Sequence, residues 1–255
     1  MKKYQAGATL IVVLIFLVAM TIIGTLAIRQ SMVSLSVATN SQVQQLLTQN
    51  SDAALFKAEN PVDLDYALTP KGLFGYTKND KNKELVFCFR GSESQFFDIN
   101  KASLIQWKEG SETLSTNSLG TRGYCDASAN ASTNWFTSGR KAVLTQVSVK
   151  FPIDSSLDNP FFDRVRGVDS QKAPIDNATR VKVFAVSLSP SLTKASRSDI
   201  NACLNGKMNQ VTPPIDKDIS TVTVAQKVDV TACLTQLNVP FTTQVAEYSI
   251  IQDIT

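Results

Sequence analysis

The sequence predicts an α+β protein in which one long N-terminal helix packs on an antiparallel β-sheet with disulfide-stapled loops. Three observations carry this. Residues 8–59 contain no proline and keep a helical pattern. Several later segments alternate apolar and polar residues with a period of two. Four widely spaced cysteines lie among the segments that follow.

The helix is the clearest element. From Ala8 to Ile28 there is no charge and no proline, and 13 of the 21 residues are Leu, Ile, Val or Phe. About 20 apolar residues span a bilayer core as a helix. At about −0.3 to −0.6 kcal/mol each, these residues favour insertion by roughly 4–8 kcal/mol before small opposing terms. Lys2 and Lys3 precede the run, only Arg29 follows it closely, and the next charge is Asp52. That asymmetry favours a cytoplasmic N-terminus.

The helical pattern continues past the apolar run. Met32, Leu35, Thr39, Val43, Leu46, Asn50 and Ala53 recur at intervals of three and four, with Leu47 and Ala54 alongside. This spacing makes one face of a helix, which needs a partner surface. Pro61 is the first proline, and the residue before a proline resists the α conformation. The expected helix is therefore Ala8 to Glu59, about 78 Å long at 1.5 Å per residue. The expected divisions are 1–7 as a leader, 8–28 as a transmembrane helix, 29–60 as its amphipathic continuation, and 61–255 as a β-rich globular domain.

Its partner is expected to be a sheet. Residues 61–83 carry loop signals. Leu85, Phe87 and Phe89 share one strand face, and Val143, Val147, Val149 and Phe151 share another. Val222, Val224, Val228 and Val230 alternate with Thr221, Thr223, Lys227 and Asp229 and read as a strand. Residues 180–188 and 245–252 complete the set. The pattern is that of half-buried, mostly antiparallel strands. Residues 91–140, 152–179 and 189–219 read as long loops, with Ser198 capping a short helix at Asp199–Leu204.

Composition excludes several functions. The chain has 255 residues, 25 Lys+Arg, 22 Asp+Glu and no histidine. Removing Lys2 and Lys3 leaves 23 basic against 22 acidic residues, so no clustered basic surface for nucleic acid is expected. The absence of histidine removes the commonest general base and metal ligand together. No G-x-S-x-G elbow and no glycine-rich phosphate loop occurs. The reading is a non-enzyme with no cofactor and no metal.

Cys88, Cys125, Cys203 and Cys233 form no C-x-x-C pair, which argues against zinc and redox motifs. In an exported chain they read as two disulfides. Of three possible pairings, Cys88–Cys125 with Cys203–Cys233 closes the shortest loops and is the expected one.

Other polar clusters read as ordinary surface. Asp52 and Glu59 flank Lys57 on one helix face. Asp154, Asp158, Asp163 and Asp169 match no EF-hand spacing, and Asp216 and Asp218 are read likewise. Asn130 and Asn177 begin short glycosylation sequons. Trp107, Trp135, Phe136, Phe161 and Phe162 read as core or loop packing, with binding anchors the sharper alternative.

The N-terminus carries one motif. Ordinary secretory signals are cut after the apolar region. Here a small residue, Gly7, precedes it and follows the basic leader Lys2-Lys3-Tyr4-Gln5-Ala6. The run Gly7-Ala8-Thr9-Leu10-Ile11-Val12-Val13-Leu14 resembles a class III prepilin signal and is similar to the start of PilX-type minor pilins. The resemblance is strongest over residues 1–59. It implies a pilin-like fold, cleavage after Gly7 by prepilin peptidase, and a retained helix beginning at Ala8. It also implies an inner-membrane anchor with a periplasmic C-terminal domain, and later incorporation into a type IV pilus.

Two positions depart from the family pattern. The mature chain would begin with Ala8 rather than Phe or Met, and its fifth residue would be Val12 rather than Glu. In the family, that glutamate is thought to neutralise the terminal amine of an earlier subunit. Its loss suits a subunit with none before it, at the pilus tip. The implied partners are other minor pilins, the major pilin and a PilC/PilY-type tip adhesin. The alternatives are a K-type pseudopilin of type II secretion, which usually carries a large helical insertion, and a periplasmic sensor or binding domain on an uncleaved anchor.

Overall fold

A computed structural model describes residues 8–59, 66–78, 80, 82–90, 98–107, 111, 113–128, 142–152, 179–212 and 222–250. The chain divides into two compact units, residues 1–45 and residues 46–255. Helix α1, Ala8–Ala58, begins in the first and ends in the second. Its 51 residues lie within one residue of the expected span.

The second unit holds a six-stranded sheet, built from β1 (Lys83–Cys88), β2 (Ser103–Trp107), β3 (Leu114–Ser115), β4 (Leu144–Lys150), β5 (Thr179–Leu188) and β6 (Phe241–Ile250). The order is β3-β2-β1-β4-β5-β6, and every neighbouring pair is antiparallel. Among the described residues between β5 and β6 lie a 3-10 turn (Pro190–Leu192) and three short α-helices: α2 (Arg197–Gly206), α3 (Val224–Lys227) and α4 (Val230–Gln236).

One face of the sheet carries the end of α1. Leu85 and Phe87 of β1, Val147 and Val149 of β4, and Val181, Val183 and Ala185 of β5 pack with Ala54, Ala58, Leu73 and Phe74. The small Ala54 and Ala58 side chains let the helix backbone approach the strands closely. The buried helix face is Leu47, Asn50, Ser51, Ala54 and Ala58. The sheet thus takes only the last turns of the helix. Met32 and Leu35, placed by spacing on the sheet-seeking stripe, are 67% and 68% exposed. At the helix end, Tyr248 of β6 donates its phenol to Glu59 at 2.7 Å. Burial and the Glu59 carboxylate together push that phenol well above its usual range.

The opposite face is covered too. Every residue of β4 is buried, so the half-buried reading is corrected at this central strand, whereas edge strand β6 keeps the alternation of partly buried and exposed residues. Leu144, Val186 and Leu188 meet Ile200, Leu204, Val230 and Leu234. Nearby, Val86, Ile105 and Trp107 meet Tyr124, Met208 and Val222.

Three further readings are corrected. The expected strand over Val222–Val230 is absent: Thr223 precedes α3, and Asp229 caps α4 by accepting from the Ala232 amide at 2.6 Å. Val230, Cys233 and Leu234 follow helical spacing, and burial of that face overrides the β preference of the valines. The long loop over 91–140 contains β2 and β3, whereas the short helix expected at Asp199–Leu204 is present as α2. The cap of α2 is Ser196, which accepts from the Asp199 amide at 3.1 Å, not Ser198.

Candidate functional site

The candidate site in the first unit is the surface of α1 itself. Apolar side chains from Leu10 to Val37 are exposed around the helix. An apolar surface of this extent is far larger than a soluble monomer tolerates, and it marks a membrane or protein partner. By length and composition the helix can cross a membrane. Its backbone is internally hydrogen-bonded, as a bilayer requires. The hydroxyls follow suit: Thr21 donates to the Val18 carbonyl and Thr25 to the Ile22 carbonyl, each at 2.8 Å. Beyond the apolar run, Thr39 donates to the Leu35 carbonyl at 2.8 Å. These bonds satisfy the three hydroxyls within the helix itself. From Ala8 to Ser51 the only charged residue is Arg29.

Gly7 lies outside the described residues, and Ala8 is the first residue of α1. Val12 sits one turn later and is half-exposed, so an apolar side chain faces outward at that position.

The second unit has a different construction. Cys88 is bonded to Cys125, with Cα atoms 4.8 Å apart, and Cys203 to Cys233, with Cα atoms 5.7 Å apart. The first bond ties segment 121–128 to β1, and the second ties α2 to α4. Gln146, opposite Cys88 in the sheet, joins the two pieces. It accepts from the Cys125 amide at 3.1 Å and donates to the Leu204 carbonyl at 2.9 Å. Asn201 of α2 does the same further out, accepting from the Ala127 amide at 2.7 Å and donating to Asp126 at 2.6 Å. Partial burial alone would raise the Asp126 carboxyl, but hydrogen bonds from Ser128 and Asn201 outweigh it and hold the group below its usual range.

Trp107 is a buried core residue. Trp135, Phe136, Phe161, Phe162, Asn130, Asn177, Asp154, Asp158, Asp163, Asp169, Asp216 and Asp218 lie outside the described residues. Among the described residues there is no cluster of three or more His, Cys, Asp or Glu that would hold a metal. Sequence reasoning missed the polar groups buried within the sheet layers: Ser51, Ser187, Glu84, Lys150 and Asn209. Charge within a strand pattern, at Glu84 and Lys150, was the one available signal.

Residues 6–56 match the family model for the PilX N-terminal segment. The match spans 51 of 255 residues, one fifth of the chain, and it covers α1 without reaching the sheet. No curated protein and no solved structure matches the chain.

Proposed function

We propose that this chain is a type IV minor pilin that enters the pilus at or near its tip. The observation that carries the reading is the PilX N-terminal match over an exposed, apolar α1 with valine at position 12. On this reading prepilin peptidase cuts after Gly7. The apolar helix then holds the protein in the bacterial inner membrane, with the globular unit on the periplasmic side. Extraction into the filament replaces lipid contacts by contacts with helices of other minor pilins and the major pilin. The sheet unit, stapled by disulfides, faces outward and offers contacts to a PilC/PilY-type tip adhesin.

Val12 supplies the position. A subunit entering below another must bring an acid to the terminal amine above it, because an unpaired buried ammonium costs several kcal/mol. This chain brings a valine. Its own amine at Ala8 is free to meet the acid of the next subunit, so it makes a good first subunit and a poor internal one.

Gold labelling of sheared pili tests the assignment. The expected result is sparse label at pilus ends, with Val12→Glu extending it along the shaft. Dense shaft labelling by the unmodified protein overturns the tip role. N-terminal sequencing tests the anchor alternative, since an intact Met1 or Lys2 start supports an uncleaved membrane domain.

A second reading is a K-type pseudopilin, and the helices α2–α4 between β5 and β6 favour it. A deletion strain separates the two. Loss of surface pili supports the first reading, and loss of type II secretion with intact pili supports the second.

A further inference from the structure

The two edges of the sheet differ. At one, β3 is two residues long and offers almost nothing to a further strand. At the other, β6 runs for ten residues in unbroken register with β5 and contains no proline and no lysine. Among the described residues, nothing pairs with the outer side of Val245–Ile250. Such an edge presents a row of backbone N–H and C=O groups that another chain can take up, and short length, proline, lysine or a bulge are the usual defences. The side chains along it differ between the two faces. On the face shared with Phe241, away from α1, Val245 is 53% exposed, and Glu247 is held by Arg180 at 3.4 Å. On the α1 face, Tyr248 donates to the exposed Glu59. Asp52, seven residues before Glu59 and so on the same side of the helix, is exposed as well.

We propose that β6 takes up an extended segment of another protein as a further strand of the sheet, one whose side chains alternate basic residues on the α1 side with apolar residues on the other. Main-chain hydrogen bonds to the free edge supply the affinity, as in other cases of strand addition. Asp52 and Glu59 receive the basic side chains. Val245 receives the apolar ones, which cover its exposed surface.

Charge selects the occupant. On the face away from α1, Glu247 is balanced by Arg180 and stands opposite Lys182 in the register. On the α1 face, neither Asp52 nor Glu59 has an ion-pair partner among the described residues. Lys57 does not neutralise Glu59, because residues two apart on a helix do not face each other. The uncompensated charge at this edge is therefore negative and lies on one side. A second copy, pairing edge to edge in antiparallel fashion, would bring its own Asp52 and Glu59 to the same place. Like charges would then meet, and such juxtapositions reject a partner. A strand with basic residues on that side meets the opposite sign.

Binding of synthetic peptides to the full-length protein in a neutral detergent tests this, with amide hydrogen exchange locating the site. The probe is a peptide that alternates lysine with valine. It should bind and slow exchange within Val245–Ile250. The same peptide with glutamate in place of lysine should bind at least about tenfold more weakly. A lysine peptide N-methylated at every second residue, so that its pairing edge is blocked, should not bind. Failure of the lysine peptide to bind at millimolar concentration overturns the proposal, as does binding that leaves exchange in β6 unchanged. Equal binding of the N-methylated peptide overturns strand addition, and equal binding of the glutamate peptide overturns the basic character of the partner. Protection of β6 that grows with protein concentration, without any peptide, overturns the assignment in favour of a second copy.

Discussion

Ser51 of α1 donates its hydroxyl to Ser187 of β5 at 2.8 Å, wholly inside the interface between helix and sheet. Ser187 is shared in turn with Thr145 of β4 at 2.7 Å, so three buried hydroxyls run from the helix across two central strands. Hydrophobic packing is non-directional and would tolerate sliding of α1 along the strands. These bonds give the contact a register.

Ser187→Ala therefore removes the partner of Thr145 and leaves Ser51 only a long 3.4 Å bond to the Ala185 carbonyl. Its expected cost is about 1–3 kcal/mol, the usual penalty for a buried polar group left unsatisfied. Ser51→Ala leaves the Ser187–Thr145 bond intact and should cost less. Urea unfolding of the detergent-solubilised protein measures both, and equal costs would show that the hydroxyl chain is not coupled.

Reduction of either disulfide should weaken the globular unit. The bridges close separations of 37 and 30 residues, for which chain entropy gives about 3–4 kcal/mol each. Cys203→Ser and Cys88→Ser should each lower the unfolding free energy by about that amount, read from urea unfolding. Non-reducing peptide mapping of exported protein should recover Cys88 with Cys125 and Cys203 with Cys233, and crossed links would contradict the structure.

Gly123 should resist any side chain. A Cβ there would collide with the Val86 carbonyl oxygen and the Ser103 amide nitrogen, both backbone atoms held in the sheet. The Gly123 amide donates to Ser103 Oγ at 2.9 Å, which holds the segment two residues before Cys125 against β2. Gly123→Ala should destabilise by about 1–3 kcal/mol through overpacking, read as a fall in the urea midpoint with slower formation of the Cys88–Cys125 bond. An unchanged midpoint would refute the close approach.

Stability should rise with pH across the titration of Lys150. Burial lowers its ammonium from 10.5 to about 8, so between those values the unfolded chain binds more protons at Lys150 than the folded one. Urea unfolding across that window checks this, and the rise should shrink in Lys150→Met. A rise of the same size in that variant would show that Lys150 does not carry it.

Processing should depend on Gly7. A bulky replacement such as Gly7→Leu should leave a longer, membrane-retained form, visible by intact mass and N-terminal sequencing. Cleavage at Ala8 in that variant would remove the basis for the prepilin reading.

Local sequence specifies α1, because an uncharged apolar run and an unbroken helical spacing need no distant residue to define them. It determined the strands with strong alternation, β1, β4, β5 and most of β6, for the same local reason. The short β2 and β3 stayed hidden because their polar flanks dominate the composition, and their place in the sheet is set by pairing, β2 with β1 and β3 with β2. Val222–Val230 went the other way: its alternation is genuine, but the Asp229 cap and the Val230–Leu234 face gain more from burial as α4. The tertiary structure alone settled how far the sheet is covered: β4 is buried on both faces while edge strand β6 keeps an exposed side, and period two cannot say whether a polar side meets water or a second layer. Only it brought Glu84, Lys150 and Asn209 together. Residues 84 and 150 meet through strand register and residue 209 through a covering segment, and sequence periodicity carries no information about either.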